Sequence, residues 1–188
     1  MADHVTKAVI EALGAHLKEQ IRSLNQVIYD FPAPNLSLKY PSLSIISGNP
    51  TFTPEANAYI LEQGDTDPSS KKANIVKIVG TYDFKLQLDF WCRDKQERFK
   101  IYDEFFMAFH QEVEPMGLSL KLSKYHDVWC RFDQTGYEYE DSDISSQRAE
   151  WRVIINLTAQ CRAALEKSEF IMETIENNLT TPQTIDIS

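Results

Sequence analysis

The chain has 188 residues, 43% of them hydrophobic and 25% charged, enough for one well-buried core with arms around it. Its 28 acidic and 19 basic residues give a net charge of −9, which argues against an ordinary nucleic-acid binder, because such a protein needs cations to displace counterions from phosphates. A wall that DNA slides past without sticking remains compatible with that charge.

Six glycines are few for phosphate-cradling loops. No apolar run approaches the ~20 residues of a membrane span, and the N-terminus lacks the basic-then-apolar pattern of a signal peptide. The expectation is a soluble protein made and used inside a cell. Cys92, Cys130 and Cys161 are odd in number and widely spaced, with no CxxC, so buried reduced thiols are expected rather than a zinc or redox site.

In chain order, Asp3 reads as the cap of a first helix in which Val5, Val9, Leu13, Leu17, Ile21 and Leu24 recur at three- and four-residue spacing. Phe31-Pro-Ala-Pro34 breaks any helix, since each proline removes a donor and extends the residue before it. A short strand is expected over 41–47, closed by Gly48-Asn-Pro50. Residues 58–61 suggest another strand, and 64–72 are polar and turn-rich.

A strand resumes at 74 and runs through Gly80 into Tyr82–Cys92, where Tyr82, Phe84, Leu86, Leu88 and Phe90 alternate with Asp83, Lys85, Gln87 and Asp89. Taken straight, 74–92 would span roughly 60 Å. A bulge at Gly80, or a projecting hairpin arm of 57–63 and 74–80, is therefore expected. Asp94 with Glu97 predicts a capped helix that places Phe99, Tyr102, Phe105, Phe106 and Phe109 on one stripe. Pro115-Met-Gly117 stops it.

Leu118, Leu120 and Leu122 then alternate in a strand, Val128–Phe132 forms another, and Gly136–Asp143 reads as an acidic turn region. Trp151, Val153, Ile155 and Leu157 alternate in a last core strand, with a tail at the end of the chain. The fold class expected is α+β: a mostly antiparallel sheet packed against an N-terminal helix and a central aromatic-rich helix, with a projecting hairpin or loop arm and a C-terminal extension. The domain is expected over 1–165, with 51–80 as the arm and 166–188 as the extension.

Few residues carry chemistry. Asp133, Glu138, Glu140, Asp141 and Asp143 lack the glycine position of a calcium loop and read as a solvated hairpin tip. Asp83 and Lys85 share a strand face with Asp89, the spacing of some Mg²⁺-dependent nucleases, but any half-exposed strand shows such alternation. His4, His16, His110 and His126 form no recognisable constellation, and no nucleophile elbow, Walker loop or dinucleotide fingerprint is present. No catalytic residue, metal ligand or cofactor is expected. Trp91 and Trp129 fall off the apolar face, so each is either covered by a helix or anchors a subunit interface.

The strand-to-helix run Leu86-Gln-Leu-Asp-Phe-Trp-Cys-Arg-Asp-Lys-Gln-Glu-Arg-Phe-Lys-Ile-Tyr-Asp-Glu-Phe resembles tail terminator (tail-completion) proteins of tailed bacteriophages. The amphipathic first helix ending before Phe31-Pro-Ala-Pro34, the strand after Tyr40-Pro41 and the late strand Glu150–Leu157 extend the resemblance over residues 3 to 160. It implies a non-enzymatic virion protein of the tail or neck, present in the host cytoplasm during assembly. Such a protein forms a homohexameric ring that caps the tail tube, ends its polymerisation and offers the head-docking surface.

The partners implied are the chain itself, the tail-tube protein, head-completion or connector proteins and, in a contractile tail, the sheath. DNA passes through the lumen without specific binding, and no membrane is involved. On this reading Trp91, Trp129, Tyr59, Ile60, Phe170 and Ile171 are candidate interface residues, and Asp83, Lys85 and Asp89 face the lumen or a neighbour. The alternatives are another neck or tube component, such as a head-closure protein or tube-like subunit, a small Mg²⁺-dependent nuclease, and an effector-binding or chaperone-like α+β domain.

Overall fold

A computed structural model describes residues 2–33, 36–63, 72–109, 117–141 and 151–170, with side-chain surroundings for all of these except 2, 3, 58, 59, 61, 62, 141 and 167–170. The first helix, α1 (Ala2–Gln20), delivers its apolar repeat to the core: Val5, Val9, Leu13 and Leu17 are buried. Asp3 lies within the helix instead of capping it. The helix ends well before Phe31. A turn then keeps Ile21 and Leu24 buried, with Ile21 N–H donating to the Leu17 carbonyl at 2.9 Å and Leu24 N–H to that of Ile21 at 3.1 Å.

A short strand with no periodic signal of its own, β1 (Gln26–Ile28), pairs in parallel with β2 (Ser42–Ser47). Gly14 lets α1 approach these strands. A Cβ there would stand 2.7 Å from the Tyr29 ring and 3.2 Å from Ile45, so the helix carries a poor helix former where contact is tightest.

Strand β3 (Thr51–Gln63) begins earlier than expected and pairs antiparallel with β4 (Lys72–Cys92). β2 and β3 lie end to end along one edge of β4, joined where Gly48 N–H donates to the Lys85 carbonyl at 3.0 Å. β4 is one continuous strand through Gly80, and the irregularity falls in its pairings, between Ile78 and Gly80 on one edge and Pro54 and Tyr59 on the other. A Cβ at Gly80 would meet the Thr53 carbonyl oxygen at 2.4 Å and the Phe52 ring at 2.6 Å, so β3 crosses here because no side chain stands in the way.

The helix α2 (Lys95–Phe109) starts as its cap predicts. Glu97 N–H donates to Asp94 Oδ1 at 2.8 Å, while the Glu97 carboxylate accepts from Arg93 N–H at 2.7 Å, one residue earlier than in the usual reciprocal box. Its aromatic stripe is wider than the core can cover. Phe105 and Phe109 are fully buried with Ile101 and Arg98, whereas Phe99 and Phe106 are 43% and 48% exposed. Arg98 holds this end of the helix down, its guanidinium 4.6 Å from the Tyr139 ring and 5.0 Å from that of Trp151.

Three strands complete the sheet: β5 (Gly117–Leu122), β6 (Val128–Asp141) and β7 (Trp151–Phe170). The order is β1-β2-β4-β7-β6-β5 with β3 also on β4, and every pairing except β1–β2 is antiparallel. β6 continues where a turn was expected, because Tyr137 and Tyr139 alternate with Glu138 and Glu140 in register with β7. These two carboxylates therefore lie on a strand and not at a hairpin tip; Asp143 is outside the described residues. β7 runs past the expected boundary at 165 and pairs with β4 as far as Phe170.

Between β5 and β6 the chain turns through His126 and Asp127, both left-handed (φ 49° and 54°). The Tyr125 hydroxyl, buried behind this turn, donates to the Ala164 carbonyl at 3.1 Å and accepts from Ala164 N–H at 3.0 Å. Helices α1 and α2 join through Ser23, whose N–H and hydroxyl reach the Glu104 carboxylate at 3.2 and 2.7 Å, and through His16 Nε2, 3.2 Å from the Ala108 carbonyl. Among the described residues the result is a mixed helix-and-strand fold with two helices on a mostly antiparallel, curled sheet. No described helix is long and apolar enough to cross a membrane.

Candidate functional site: the helix-free face of the sheet

Strand alternation divides the sheet in two. Phe84, Leu86, Leu88 and Phe90 of β4 face the helices with Val153, Ile155 and Leu157 of β7 and Phe132 of β6, all buried. The opposite face carries Asp83, Lys85, Gln87, Asp89 and Trp91, in register with Gln160, Thr158, Asn156, Ile154 and Arg152 of β7. Register also places Asp133, Glu138, Glu140, Arg131 and Trp129 of β6 and Lys121 of β5 on this side. Acids (Asp83, Asp89, Asp133, Glu138, Glu140) and bases (Lys85, Lys121, Arg131, Arg152, Arg162) mix on it, with Glu55 paired to Arg162 and Asp127 to Lys121. The face is polar and its charges of both signs are interleaved, with no basic excess.

Two grooves run along it. One, of about 670 Å³, has Asp83, Lys85, Arg131, Asp133 and Gln160 on its walls; the other, of about 440 Å³, is bordered by Trp129, Arg131, Gln160 and Arg162. Asp83 accepts from Gln160 Nε2 at 2.8 Å, and Asp133 holds Arg131, with Nε 3.0 Å from Oδ1. Asp83 and Gln160 satisfy one another across β4 and β7, and Arg131 and Asp133 do so along β6.

At the other end of the face, Asp89 corrects the expectation of a lumen- or neighbour-facing group: it is fully buried. Gln87 Nε2 donates to its Oδ1 at 2.8 Å and Arg152 lies 3.3 Å from Oδ2. Burial pushes the Asp89 carboxyl above its ordinary range, against the pull of the Gln87 hydrogen bond and the Arg152 charge. Arg152 also binds Glu140, while its buried Nε and the buried Ser42 hydroxyl have no hydrogen-bond partner among the described residues.

Trp91 is likewise covered within the chain. Its Nε1–H donates to Ser44 Oγ at 3.1 Å, the Phe31 ring meets it edge-on at 5.7 Å, and the Arg152 guanidinium sits 4.9 Å from the ring. Its burial therefore needs no second subunit. The cover comes from the segment after β1, which alternation within β4 does not reveal.

The other expected positions separate. Trp129 is 62% exposed and Ile60 51% exposed. Tyr59 lies in β3 and Phe170 ends β7, their side chains outside the described set; Ile171 lies outside the described residues. Asp83 is half-buried and Lys85 exposed on the helix-free face. Asp83 and Asp89 stand six residues apart on one strand, about 20 Å, too far to share one divalent ion at oxygen-ligand distances. Among the described residues, no three His, Cys, Asp or Glu side chains converge as metal ligands.

All three cysteines are buried and free. Cys130 and Cys161 face each other across β6 and β7, and their mutual hydrogen bond and burial raise the Cys130 thiol well above its ordinary value. Burial pushes the Cys92 thiol up to about 12, so none of these observations points to an activated nucleophile. The signals that sequence reading missed are the exposed aromatics beside β6: Tyr137 and Tyr139, 52% and 40% exposed, lie against Tyr102 and Phe99 of α2. Their Tyr-Glu-Tyr-Glu alternation was the available clue. Comparison with models of protein families and with curated protein sequences finds no match for this chain.

Proposed function

We propose that the protein is a structural subunit of virion assembly that forms a ring, of six copies, on the end of a phage tail tube, stops its polymerisation and offers the surface to which the head docks. The observation that carries the reading is the β4–α2 unit. An alternating strand ends in Phe-Trp-Cys-Arg and passes through a capped turn into an aromatic helix, and this is the run that resembles tail terminator proteins. Around it, β2 and β3 line one edge of β4 and the 20-residue β7 lines the other.

The ends of β3, β4 and β7 make the arm by which a subunit reaches a neighbour, with Ile60 on it 51% exposed. Trp129 and the grooves beside it suit contact with another protein better than with DNA, because the face has no basic excess. The net charge of −9 suits a lumen that DNA traverses without sticking.

The test is to add the purified chain to tail-tube protein as it polymerises. Arrested growth with short, capped tubes is expected. Tubes of unchanged length would sink the proposal, and Mg²⁺-dependent cleavage of plasmid DNA lost in Lys85→Ala would replace it with the nuclease reading.

A further inference from the structure

Cys130 and Cys161 lie 31 residues apart in the chain, and the fold sets them side by side. They are direct partners in the antiparallel β6–β7 ladder, so both side chains leave the same face of the sheet. Residues opposed in this way have Cα atoms about 4.5–5.5 Å apart, inside the roughly 4.4–6.8 Å over which a disulfide closes without moving the backbone. The two thiols are free and within hydrogen-bond reach of each other. Ala159 and Ala163, the residues two before and two after Cys161, share its face of β7, and their small side chains leave the sulfurs room to turn.

The pair also ends the ladder. Beyond it, Val128 and Trp129 of β6 pair with β5 and not with β7. The groove of about 440 Å³ opens where the two strands part, with Cys161 on its wall beside Val128 and Trp129. Cys161 is 2% exposed and Cys130 not at all, so a small oxidant in the groove meets Cys161 first.

We propose that Cys130 and Cys161 form a redox site, oxidised by hydrogen peroxide to a disulfide that staples β6 to β7. Cys161 Sγ, as the thiolate, attacks one peroxide oxygen and the O–O bond breaks. The sulfur becomes a sulfenic acid, and the departing hydroxide takes up the proton that the thiol released. Cys130 Sγ then attacks that sulfur, the S–O bond breaks, and the Cys130 proton leaves with the second hydroxide as water. Two thiols lose two electrons and two protons, and the peroxide becomes two waters. The fold supplies proximity here and not activation. Burial keeps the Cys130 thiol protonated at rest, so the first step is slow and the second, between neighbours, is fast.

Cys92 gives the contrast within the chain. It stands opposite Trp151, ten residues along β7 from Cys161 and so roughly 33 Å away. The disulfide would close a loop over 131–160 and stabilise the fold by restricting the unfolded chain. None of this rests on the assembly reading.

The test exposes the folded full chain to millimolar hydrogen peroxide, then denatures it and alkylates with iodoacetamide. Before alkylation the monomer mass should fall by about 2 Da, and dithiothreitol should restore it. Peptide mapping should find Cys130 joined to Cys161 while Cys92 takes the label. The thermal midpoint of the oxidised chain should rise by about 5 °C. Cys92→Ser should behave as wild type, and in Cys130→Ser the oxidised Cys161 should stop at the sulfenic acid, trapped by dimedone. The wild-type readouts decide the matter even where a variant fails to fold. All three thiols alkylated after treatment, Cys161 carried to the sulfinic acid with Cys130 still free, or links formed between chains would each overturn the proposal. A link that leaves the thermal midpoint where it was would overturn the staple.

Discussion

Tyr125 stands where β7 loses its β6 neighbour while β4 still pairs its other edge. The β6–β7 ladder ends at Cys130 and Cys161, and three residues further on both backbone groups of Ala164 are taken by the Tyr125 hydroxyl. Removing that oxygen strands a buried N–H and a buried carbonyl, so Tyr125→Phe should lower unfolding stability by about 2 kcal/mol. Urea titration checks it: the midpoint falls while the slope is unchanged.

Asp89 tests a different balance at the same scale. Its folded-state pKa is raised from 3.8, chiefly by burial, so the folded chain holds this proton to higher pH than the unfolded chain. The Asp89 contribution to stability is therefore most favourable below the unfolded value and falls as pH rises from there through the folded pKa. The stability of wild type relative to Asp89→Asn should fall over that window, as read by urea melts at several pH values. A difference that grows with pH would show that the Arg152 ion pair outweighs burial.

At the scale of elements, Gly80 decides whether β3 can lie on β4. Gly80→Ala drives a methyl into the Thr53 carbonyl and the Phe52 ring, and overpacking of this kind costs about 1–3 kcal/mol. A lowered melting temperature and faster amide exchange across Thr51–Gln63, with α1 unaffected, is the expected outcome. Elements with strong periodicity were legible in the sequence: the β4 alternation, the Asp94 cap, the Trp151–Leu157 strand and the α1 repeat as far as Leu17, with Ile21 and Leu24 buried from the turn beyond the helix.

What escaped has physical reasons. β1 is three residues long and held by a parallel partner fourteen or more residues away, so it has no local pattern. The end of β6 was hidden by its carboxylates, although Tyr137 and Tyr139 keep the two-residue period. The five aromatics of α2 make a stripe broader than one core-facing side, since a 3.6-residue helix cannot turn Phe99 and Phe105 to the same side. Of the candidate site, the polar face of β4 was legible, but the burial of Asp89 depends on Arg152, 63 residues away, and that of Trp91 on Phe31.

At the scale of the whole molecule, the sheet has one face sealed by helices and one polar face with grooves, Trp129 and interleaved charges. Aromatic margins flank it at both ends. The assembly role proposed above calls for separate surfaces toward different proteins, and the polar face and the exposed margins are where variants would test them.

The most direct measurement is electron cryomicroscopy of tail tubes polymerised in the presence of the purified chain. The account predicts a six-fold ring of density at a tube end, with the helices and sheet of this fold fitting each repeat. Tubes that end bare, or density of this chain repeated along the whole tube, would contradict it.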